Sequence, residues 1–393
     1  MYHDLEINPV FYGHKLKTQI ASMDNQKIHM NGGDGPKSYA KNSEYQKQLV
    51  GYSKKVMDEL IEQQLDVGIN PHNKPFCVAD FGCSIGRNTY LAVQNIIEAV
   101  EQKYKSNIED PEKLPQLQVP EFLVFFNDLV QNDFNTLFSY IHSNKPNYFT
   151  AGLPGSFYGR VFPKAFLHFA HSSMALLYLS KIPEEVLNRK SAAWNKGRIH
   201  YSCRGAAKEV EAAYSHQFRK DIEAFLDARA EELVPGGLMV IITLGILDGV
   251  LPSECSMGVT FTILESCLQD MANMGIISEE KLDSFNLPYY YTSQMELETL
   301  IKTHGCFDIA RFEKLPTPLR QVVHDVQTAV LSIRVVTEAL FQQHFGKDIT
   351  EELFQRCAEK FESHPVIYDD KYRTEASYFV FLKRKTETSK PGT

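Results

Sequence analysis

The chain has 393 residues, of which 43% are hydrophobic and 23% are charged, and it carries a formal net charge of −8. This length and composition are typical of a globular protein with one large core. The negative charge argues against a nucleic-acid surface, whose affinity comes mainly from neutralised phosphates, and no apolar run approaches the roughly 20 residues of a membrane-spanning helix.

Cysteine usage and the N-terminus indicate a compartment. The seven cysteines are scattered and form no C-x-x-C pair. This pattern favours free thiols in a reducing compartment over a disulfide framework or a zinc site. The first 30 residues are polar and lack the apolar stretch of a secretory signal. We therefore expect a cytoplasmic protein in which residues 1–30 form a flexible N-terminal segment.

A long helix is predicted next, from about Ser38 to Leu65. Within it, Tyr39, Ser43 and Gln46 follow one another at spacings that put them on one helical face. A polar face of this kind is usually only solvated, but these three side chains together could also line the mouth of a pocket.

The stretch from Phe76 to Tyr90 carries the clearest local signal. Its first four residues form an apolar run typical of a buried parallel strand. Asp80 ends the strand, Gly82 and Gly86 open a turn, and a helix follows. The turn has neither G-x-G-x-x-G nor G-x-x-x-x-G-K-[ST], so it is a poor cradle for a pyrophosphate.

A ligand with a charged amine, a ribose and no phosphate fits this turn better. Asp80 could make a charge-assisted contact with an ammonium group, and the glycines let the backbone approach a ligand closely. S-adenosylmethionine is such a ligand. The alternative is an ordinary strand-to-helix turn of some other α/β enzyme.

Further strands are predicted along the chain, and most end in polar or small residues. Their predicted positions are 122–126, 148–152, 165–173, 238–243, 307–312 and 377–382. Asp128 follows the first of these, where an acid can bind ribose hydroxyls, although Asn and Asp also begin turns and helices. The loop 154–160 contains two glycines whose backbone can approach a ligand.

The remaining segments are predicted to be mainly helical. A short helix is expected over 174–181 and a long amphipathic helix over 206–233. We predict a cofactor-binding α/β core over 31–245, a helical substrate-binding cap over 246–325, and C-terminal helices with the last core strand over 326–393.

Eight motifs, in order along the chain, resemble those of one known family. They are the segment Ser38–Gln46, DFGCSIGRNT at 80–89, FFNDL at 125–129, PGSFYGR at 154–160, HFAHSS at 168–173, NKGRI at 195–199, VPGGLMV at 234–240 and DSFNLP at 283–288. Together they resemble the SABATH family of plant S-adenosylmethionine-dependent methyltransferases, such as the salicylate, jasmonate and loganate enzymes. The resemblance implies a Rossmann-like methyltransferase sheet with helices on both faces, a helical cap over the active-site edge, and a homodimer.

The resemblance also assigns residues to the cofactor and to the acceptor. The positions implied for cofactor binding are Tyr39, Ser43, Asp80, Cys83, Asn88, Asp128, Leu129, Ser156 and Phe157. Gln46 stands where the family holds the substrate carboxylate. Tyr178 replaces the tryptophan that normally assists, and Tyr39 and Leu177 accompany it. This replacement predicts an acceptor with a polar group beside its carboxylate, or one bulkier than salicylate.

A metal position is implied by the same resemblance. Asn195, Asp283, Phe285 and Asn286 match a magnesium site of some family members, and oxygen-bearing side chains with a backbone carbonyl suit a hard cation. A hydrogen-bonded turn with water is the alternative. Arg87 stands where the family usually has proline, which adds a positive charge near the cofactor turn.

The function expected is O-methylation of a small plant carboxylic acid to its methyl ester. A carboxylate is already ionised at neutral pH, since its reference pKa is about 4, so no general base is required. The alternative is N-methylation of a purine or alkaloid nitrogen, and a third possibility is a binding protein without activity. An NAD-dependent enzyme is disfavoured by the missing glycine fingerprint.

Overall fold

The computed structural model describes residues 29–70, 74–108, 118–363 and 369–386. Residues 1–28 of the predicted flexible N-terminal segment lie outside these ranges. None of the helices in these ranges combines the length and the apolar composition that crossing a bilayer demands.

The described residues form one sheet of eight strands. These are β1 Phe76–Phe81, β2 Phe122–Asp128, β3 Phe149–Pro154, β4 Leu167–Ser173, β5 Leu233–Ile246, β6 Thr292–Ser293, β7 Phe307–Leu315 and β8 Glu375–Arg384. The order across the sheet is β3-β2-β1-β4-β5-β8-β7, with β6 paired to β5. β1 to β5 run parallel, whereas β8 is antiparallel to both β5 and β7.

Twelve α-helices accompany the sheet in the described ranges. They are α1 Tyr39–Asn42, α2 Glu44–Gln64, α3 Arg87–Ile108, α4 Phe134–Ser143, α5 Glu184–Leu187, α6 Lys208–Glu232, α7 Ser256–Asn273, α8 Glu279–Asp283, α9 Gln294–His304, α10 Leu319–Val322, α11 Val326–Phe345 and α12 Lys347–Ser363. The predicted α/β sheet, its strand positions and the long helix α6 are therefore confirmed. The helix predicted from about Ser38 to Leu65 is divided at Ser43, so Tyr39 lies on α1 and Gln46 on α2.

Both faces of the sheet are covered by helices because alternate strand residues point to opposite sides. In β1, Phe76 and Val78 pack into a core with residues of α2, α3 and α4. The intervening residues Cys77, Ala79 and Phe81 pack into a second core with residues of α6, α9, α11 and α12. The sheet is thus buried on both faces, which explains the continuous apolar runs of its strands.

The strand order reverses direction beside β1, and this reversal determines the edge of the sheet at which a ligand can bind. β2 lies on one side of β1 and β4 on the other, so the connections leaving their carboxyl ends diverge. A crevice opens at such a point in parallel sheets. The turn after β1 and the loops after β2, β3 and β4 all reach this edge.

The prediction of a helix over 174–181 is wrong, because this segment forms a turn with an isolated β-bridge between Tyr178 and Tyr289. Several of its backbone N–H groups bond to residues far away in the sequence. The N–H of Leu179 donates to the carbonyl of Pro288 at 2.8 Å, and the N–H of Ser180 donates to the Asp221 carboxylate at 2.8 Å. These long-range partners outcompete the local bonds that a helix would need.

The segment predicted as a helical cap, 246–325, has a mixed structure. It contributes the helices α7 to α10, but β6 and β7 pair within the central sheet. α12, from the segment predicted as C-terminal, packs against α7, and Lys360 Nζ lies 2.7 Å from Asp270 Oδ2. Helices from both predicted segments therefore cover the site, and the domain boundaries remain a prediction.

Candidate active site

A cavity of about 220 Å³ lies at the carboxyl edge of the sheet, beside β1 and β4. Eight of the predicted site residues line it, namely Tyr39, Gln46, Asp128, Leu129, Ser156, Phe157, Leu177 and Tyr178. We call the part beside Gly82, Asp128 and Phe157 the cofactor end. The part walled by residues of α7, α10, α11 and β8 is the acceptor end.

The glycine turn after β1 packs closely against the end of β4. Gly82 has φ +79°, and a Cβ there would lie 2.2 Å from the Cβ of Ala175. Ser84, two residues on, also has a positive φ of 52°, which is uncommon for a residue other than glycine. The turn therefore needs glycine at position 82 both for its conformation and for the approach of the 174–175 segment.

Asp128 is fastened to this turn by its carboxylate. Its Oδ2 accepts from the N–H of Ser84 at 2.7 Å, and its Oδ1 accepts from the N–H of Leu129 at 2.7 Å. Burial raises the pKa of Asp128 to about 6, although these two hydrogen bonds oppose the rise. Each carboxylate oxygen keeps a lone pair, so Asp128 can still accept hydroxyl groups of a ligand.

The other four predicted cofactor residues lie behind the lining. Both oxygens of Asp80 are engaged, since Oδ1 lies 2.8 Å from His171 Nδ1 and Oδ2 accepts from the Thr89 hydroxyl. Asn88 Nδ2 donates to Ser43 Oγ at 2.9 Å. Cys83 is buried, and its N–H donates to the carbonyl of Asn127. These four residues brace the turn and α2, and their contact with a cofactor remains a prediction.

At the acceptor end, Gln46 and Tyr178 present their side chains to one cavity. Gln46 lies on α2, is half-buried, and makes no side-chain hydrogen bond to another residue in the described part of the chain. The Tyr178 hydroxyl contacts Met30 Sδ at 3.8 Å, and its ring centroid lies 4.8 Å from that of Tyr289. Burial raises the pKa of Tyr178 well above its usual range, so the phenol stays protonated.

The turn that carries Tyr178 is held by hydrogen bonds to residues of α6. Asp221 accepts from the Ser180 N–H at 2.8 Å and from the Ser180 hydroxyl at 2.6 Å, and Gln217 Nε2 donates to the same carboxylate at 2.9 Å. Burial raises the pKa of Asp221, and these donors lower it in part. Leu177 and Tyr178 thus lie on a hydrogen-bonded turn rather than on a helix, whereas Gln46 lies on α2.

The predicted metal position is a buried polar turn. Asn195 Nδ2 donates to Asn286 Oδ1 at 2.7 Å, and the N–H of Gly197 donates to Asp283 Oδ1 at 2.8 Å. Asn195 Oδ1 is buried without a hydrogen-bond partner among the described residues. The oxygen donors therefore suit a hard cation, although no cluster of three or more His, Cys, Asp or Glu side chains fit for a metal occurs in the described ranges.

Several lining residues were not predicted from the sequence. They include Ser84, Asn132, Tyr158, Ser256, Met257, Tyr289, Tyr291, Val322, Ile333 and Glu375. Tyr158 lies in the recognised motif PGSFYGR at 154–160, but nothing in that motif indicates its role. The residues from α7, α10, α11 and β8 carry no local pattern, because only tertiary packing brings them to the cavity. Arg87 begins α3 and is exposed.

Comparisons with known proteins bear on the family to which the chain belongs. Residues 25–385 match the sequence profile of a family described as SAM dependent carboxyl methyltransferase. The chain is 46% identical over 360 residues to loganic acid O-methyltransferase of Catharanthus roseus, covering 91% of this chain and 94% of that protein. It is 40% identical to paraxanthine methyltransferase 2 of Arabidopsis thaliana over 326 residues, covering 83% of this chain and 90% of that protein.

A solved structure of loganic acid methyltransferase with SAH superimposes with a TM-score of 0.85 at 44% identity. The match covers 92% of this chain and 99% of that chain. The predicted methyltransferase sheet and the expected cofactor, S-adenosylmethionine, are therefore confirmed. The glycine turn, Asp128, the sheet topology and these matches lead to one conclusion: the chain belongs to the SABATH family of S-adenosylmethionine-dependent carboxyl methyltransferases.

Proposed function

We propose that this enzyme makes the methyl ester of a small plant carboxylic acid whose carboxylate is held by Gln46. The observation that carries the proposal is that Gln46 and Asp128 line the same cavity. The acid-binding amide and the predicted ribose-binding carboxylate therefore face a shared space. A carboxylate bound at Gln46 would lie in the same enclosure as the methyl donor.

The chemistry asks for positioning more than for proton transfer. S-adenosylmethionine supplies a methyl group already activated by its sulfonium charge. The acceptor carboxylate is ionised at neutral pH, because its reference pKa is about 4. The Gln46 amide can donate to one carboxylate oxygen and aim the other. An amide leaves the oxygen more nucleophilic than a salt bridge to Lys or Arg would. In-line placement and exclusion of water then provide the acceleration.

Tyr178 is suited to assist Gln46. Its hydroxyl contacts the thioether sulfur of Met30 at 3.8 Å, which is a weak acceptor, and lies beside the Tyr289 phenol. Both are neutral groups, so replacing the sulfur by a carboxylate oxygen would strengthen the hydrogen bonding of the phenol. Because burial raises its pKa, the phenol remains a donor throughout the neutral range. Tyr289, buried against the Tyr178 ring, helps to exclude water.

At the cofactor end, we propose that different side chains bind different parts of S-adenosylmethionine. Asp128 would accept the ribose hydroxyls. Leu129 and Phe157 would pack on the adenine, while Tyr39 and Ser156 would complete the enclosure with polar atoms. Ser43, Asp80, Cys83 and Asn88 would act by bracing the turn. The support is their common placement around Gly82 at the edge of β1.

The test is a methyl-transfer assay with radiolabelled S-adenosylmethionine, a panel of plant carboxylic acids and a panel of purines. We expect the radiolabel in a methyl ester, which releases it as methanol on alkaline hydrolysis. Label found only in alkali-stable purine products would favour N-methylation, which the paraxanthine methyltransferase relative makes worth testing. No transfer, together with no calorimetric cofactor binding, would indicate a binding protein without activity.

We also propose that Asn195, Asp283, Asn286 and the carbonyl of Phe285 hold Mg²⁺. The ion would neutralise the Asp283 carboxylate and satisfy the buried Asn195 Oδ1, which would tie the 195–199 and 283–288 turns together. Its test is a rise in melting temperature with Mg²⁺ that Asp283→Asn abolishes. An equal rise in the variant would rule out this position.

Two further proposals concern the assembly and the location of the enzyme. The family resemblance supports a homodimer, which light scattering on the purified chain would test. The seven unpaired cysteines support a cytoplasmic enzyme, since reduced thiols persist there. Imaging of a fluorescent fusion in plant cells would test that location, and a signal confined to an organelle would overturn it.

A further inference from the structure

Glu375 is a carboxyl group at the acceptor end with no assigned role. It is the first residue of β8 and lines the cavity beside Ser256, the first residue of α7. β4 and β5 separate β8 from β1, so Glu375 lies about 14 Å along the sheet from the glycine turn, at a strand spacing of ~4.8 Å. It is therefore remote from the predicted ribose site.

The Glu375 side chain is buried and lacks a good partner. Glu375 is 8% exposed, and neither of its carboxyl oxygens has a hydrogen-bond partner of normal geometry among the described residues, although the Ser256 hydroxyl and N–H lie close enough to oppose the rise of its pKa. A buried polar group without a partner is destabilising and uncommon. Its position on the wall of a ligand cavity explains this exception if a ligand completes the hydrogen bonding.

The neighbouring groups narrow the chemistry of that ligand. Tyr45, Ser256 and Tyr291 line the same cavity and are neutral hydroxyls, and Tyr45 already bonds Ser377 at 3.0 Å. Val322 and Ile333, from α10 and α11, add only apolar surface. Burial raises the pKa of Glu375, and Ser256 and the charge of Arg373 oppose this in part. This corner of the cavity is therefore lined mainly by neutral hydroxyls and apolar surface, with Glu375 as its acid and Arg373 as a nearby positive charge.

We propose that Glu375 bonds a hydroxyl group of the acceptor and makes the enzyme selective for hydroxylated monocarboxylic acids over dicarboxylic acids. A hydroxyl can pair with either protonation state of Glu375, whereas an amine needs the ionised state. A second carboxylate would meet a like charge or force a protonation. The inference rests on the proposed function, since it assumes that the cavity takes the acid acceptor.

The first test compares matched acceptors on the unmodified enzyme. For one carbon skeleton, kcat/KM is measured for the plain acid and for its counterparts with a distal hydroxyl, a distal amine and a distal carboxylate. We expect the hydroxy acid to exceed the plain acid by about tenfold, the worth of one hydrogen bond to a carboxyl group. The dicarboxylate should be the poorest substrate. A higher kcat/KM for the acid with the distal amine than for the acid with the distal hydroxyl would overturn the assignment of Glu375 to a hydroxyl group.

The second test uses variants of the same residue. Glu375→Ala should abolish the preference for the hydroxy acid, and Glu375→Gln should keep most of it while improving the dicarboxylate. Glu209→Gln, at an exposed position on α6, is the matched control and should change neither ratio. SAH affinity and melting temperature are measured in every variant, so that loss of folding is recognised.

The two proposals fail in different ways. If no carboxylic acid is methylated, the proposed function fails. If acids are methylated but the hydroxyl preference is absent, or is equal in Glu375→Ala, only the role of Glu375 fails. A preference that persists in Glu375→Ala would point to another residue of the acceptor end and would also overturn this inference.

Discussion

The phenol of Tyr158 donates a hydrogen bond to the main-chain carbonyl of Tyr178. Tyr158 follows Ser156 and Phe157 in the loop after β3, so this bond joins the loop of the predicted cofactor residues to the turn of the predicted acceptor residues. Burial raises the pKa of Tyr158 well above its usual range, and the hydroxyl therefore donates at any pH near neutrality.

Tyr158→Phe should weaken the coupling between cofactor and acceptor. We expect acceptor affinity in the presence of SAH to fall by about fivefold, the worth of one neutral hydrogen bond. Acceptor affinity without SAH should change less, because the loop is then not held by a ligand. Calorimetric titration with and without SAH measures the difference. Tyr52→Phe, which removes a hydroxyl bonded to Gln48 and Gln321 on the surface, is the control. Equal losses with and without SAH would contradict a coupling role.

Gln46→Ala should lower kcat/KM for the acid by about 10- to 100-fold, as expected for a hydrogen bond to a charged oxygen. SAH affinity should stay close to normal, because Gln46 is assigned to the acceptor. Gln48→Ala, in the same helix but away from the cavity lining, should have little effect. Steady-state kinetics and SAH calorimetry measure both quantities. A parallel loss of SAH affinity would show that Gln46 does not act on the acceptor alone.

Cofactor affinity should depend on pH through Asp128. Its carboxyl is raised by burial to a pKa of about 6, so below that pH it is largely protonated in the free protein. Ribose hydroxyls donate to the ionised form, and binding must then release the proton. We expect SAH affinity to be constant above pH 7 and to fall up to tenfold per pH unit below about 6. Asp128→Asn should bind weakly with no such dependence. A wild-type affinity that stays flat down to pH 5 would exclude this role.

A buried ion pair anchors the loop that carries Phe157. Arg229 Nη2 lies 2.7 Å from Glu232 Oε2, and both side chains are fully buried. The Arg229 guanidinium also donates to the carbonyls of Phe157 and Gly159 at 3.0 Å, while Glu232 Oε1 accepts from the N–H of Phe162 at 3.0 Å. The pair therefore fixes the loop from the α6 side.

Arg229→Met should lower the free energy of unfolding by about 3–5 kcal/mol, because it leaves the Glu232 carboxylate buried without its partner. Denaturant titration measures this change. Arg189→Met, which removes an exposed pair with Glu280, should cost less than about 1 kcal/mol. Adding Glu232→Gln to Arg229→Met should recover part of the loss. If the two Arg variants were equally destabilised, the buried pair would not be the cause.

Local sequence patterns predicted the part of the site that lies on regular elements. Phe76–Phe81 and Phe122–Asp128 are recognisable because both faces of these strands are buried, and the polar residues at their ends mark the ligand edge. The same reasoning could not predict the protein partners of Asp80. An acid at the end of β1 is visible in the sequence, but its engagement by His171, from β4, depends on strand pairing.

Most of the acceptor end could not be predicted from the sequence, for a related reason. Glu375 and Ser256 are separated by more than 100 residues and meet only because β8 inserts beside β5. The error over 174–181 has the same origin, since Pro288 and Asp221 capture the backbone N–H groups from a distance. Short-range periodicity carries no information about such partners.

The place of β8 bears on how the enzyme is made in the cell. The strand lies between β5 and β7 although it comes last in the chain. Domains generally fold as units during synthesis, and β1 to β4, with the glycine turn and Asp128, are all translated before residue 174. The place of β8 between β5 and β7 can be filled only when translation is nearly finished, so the cavity wall that carries Glu375 is completed last.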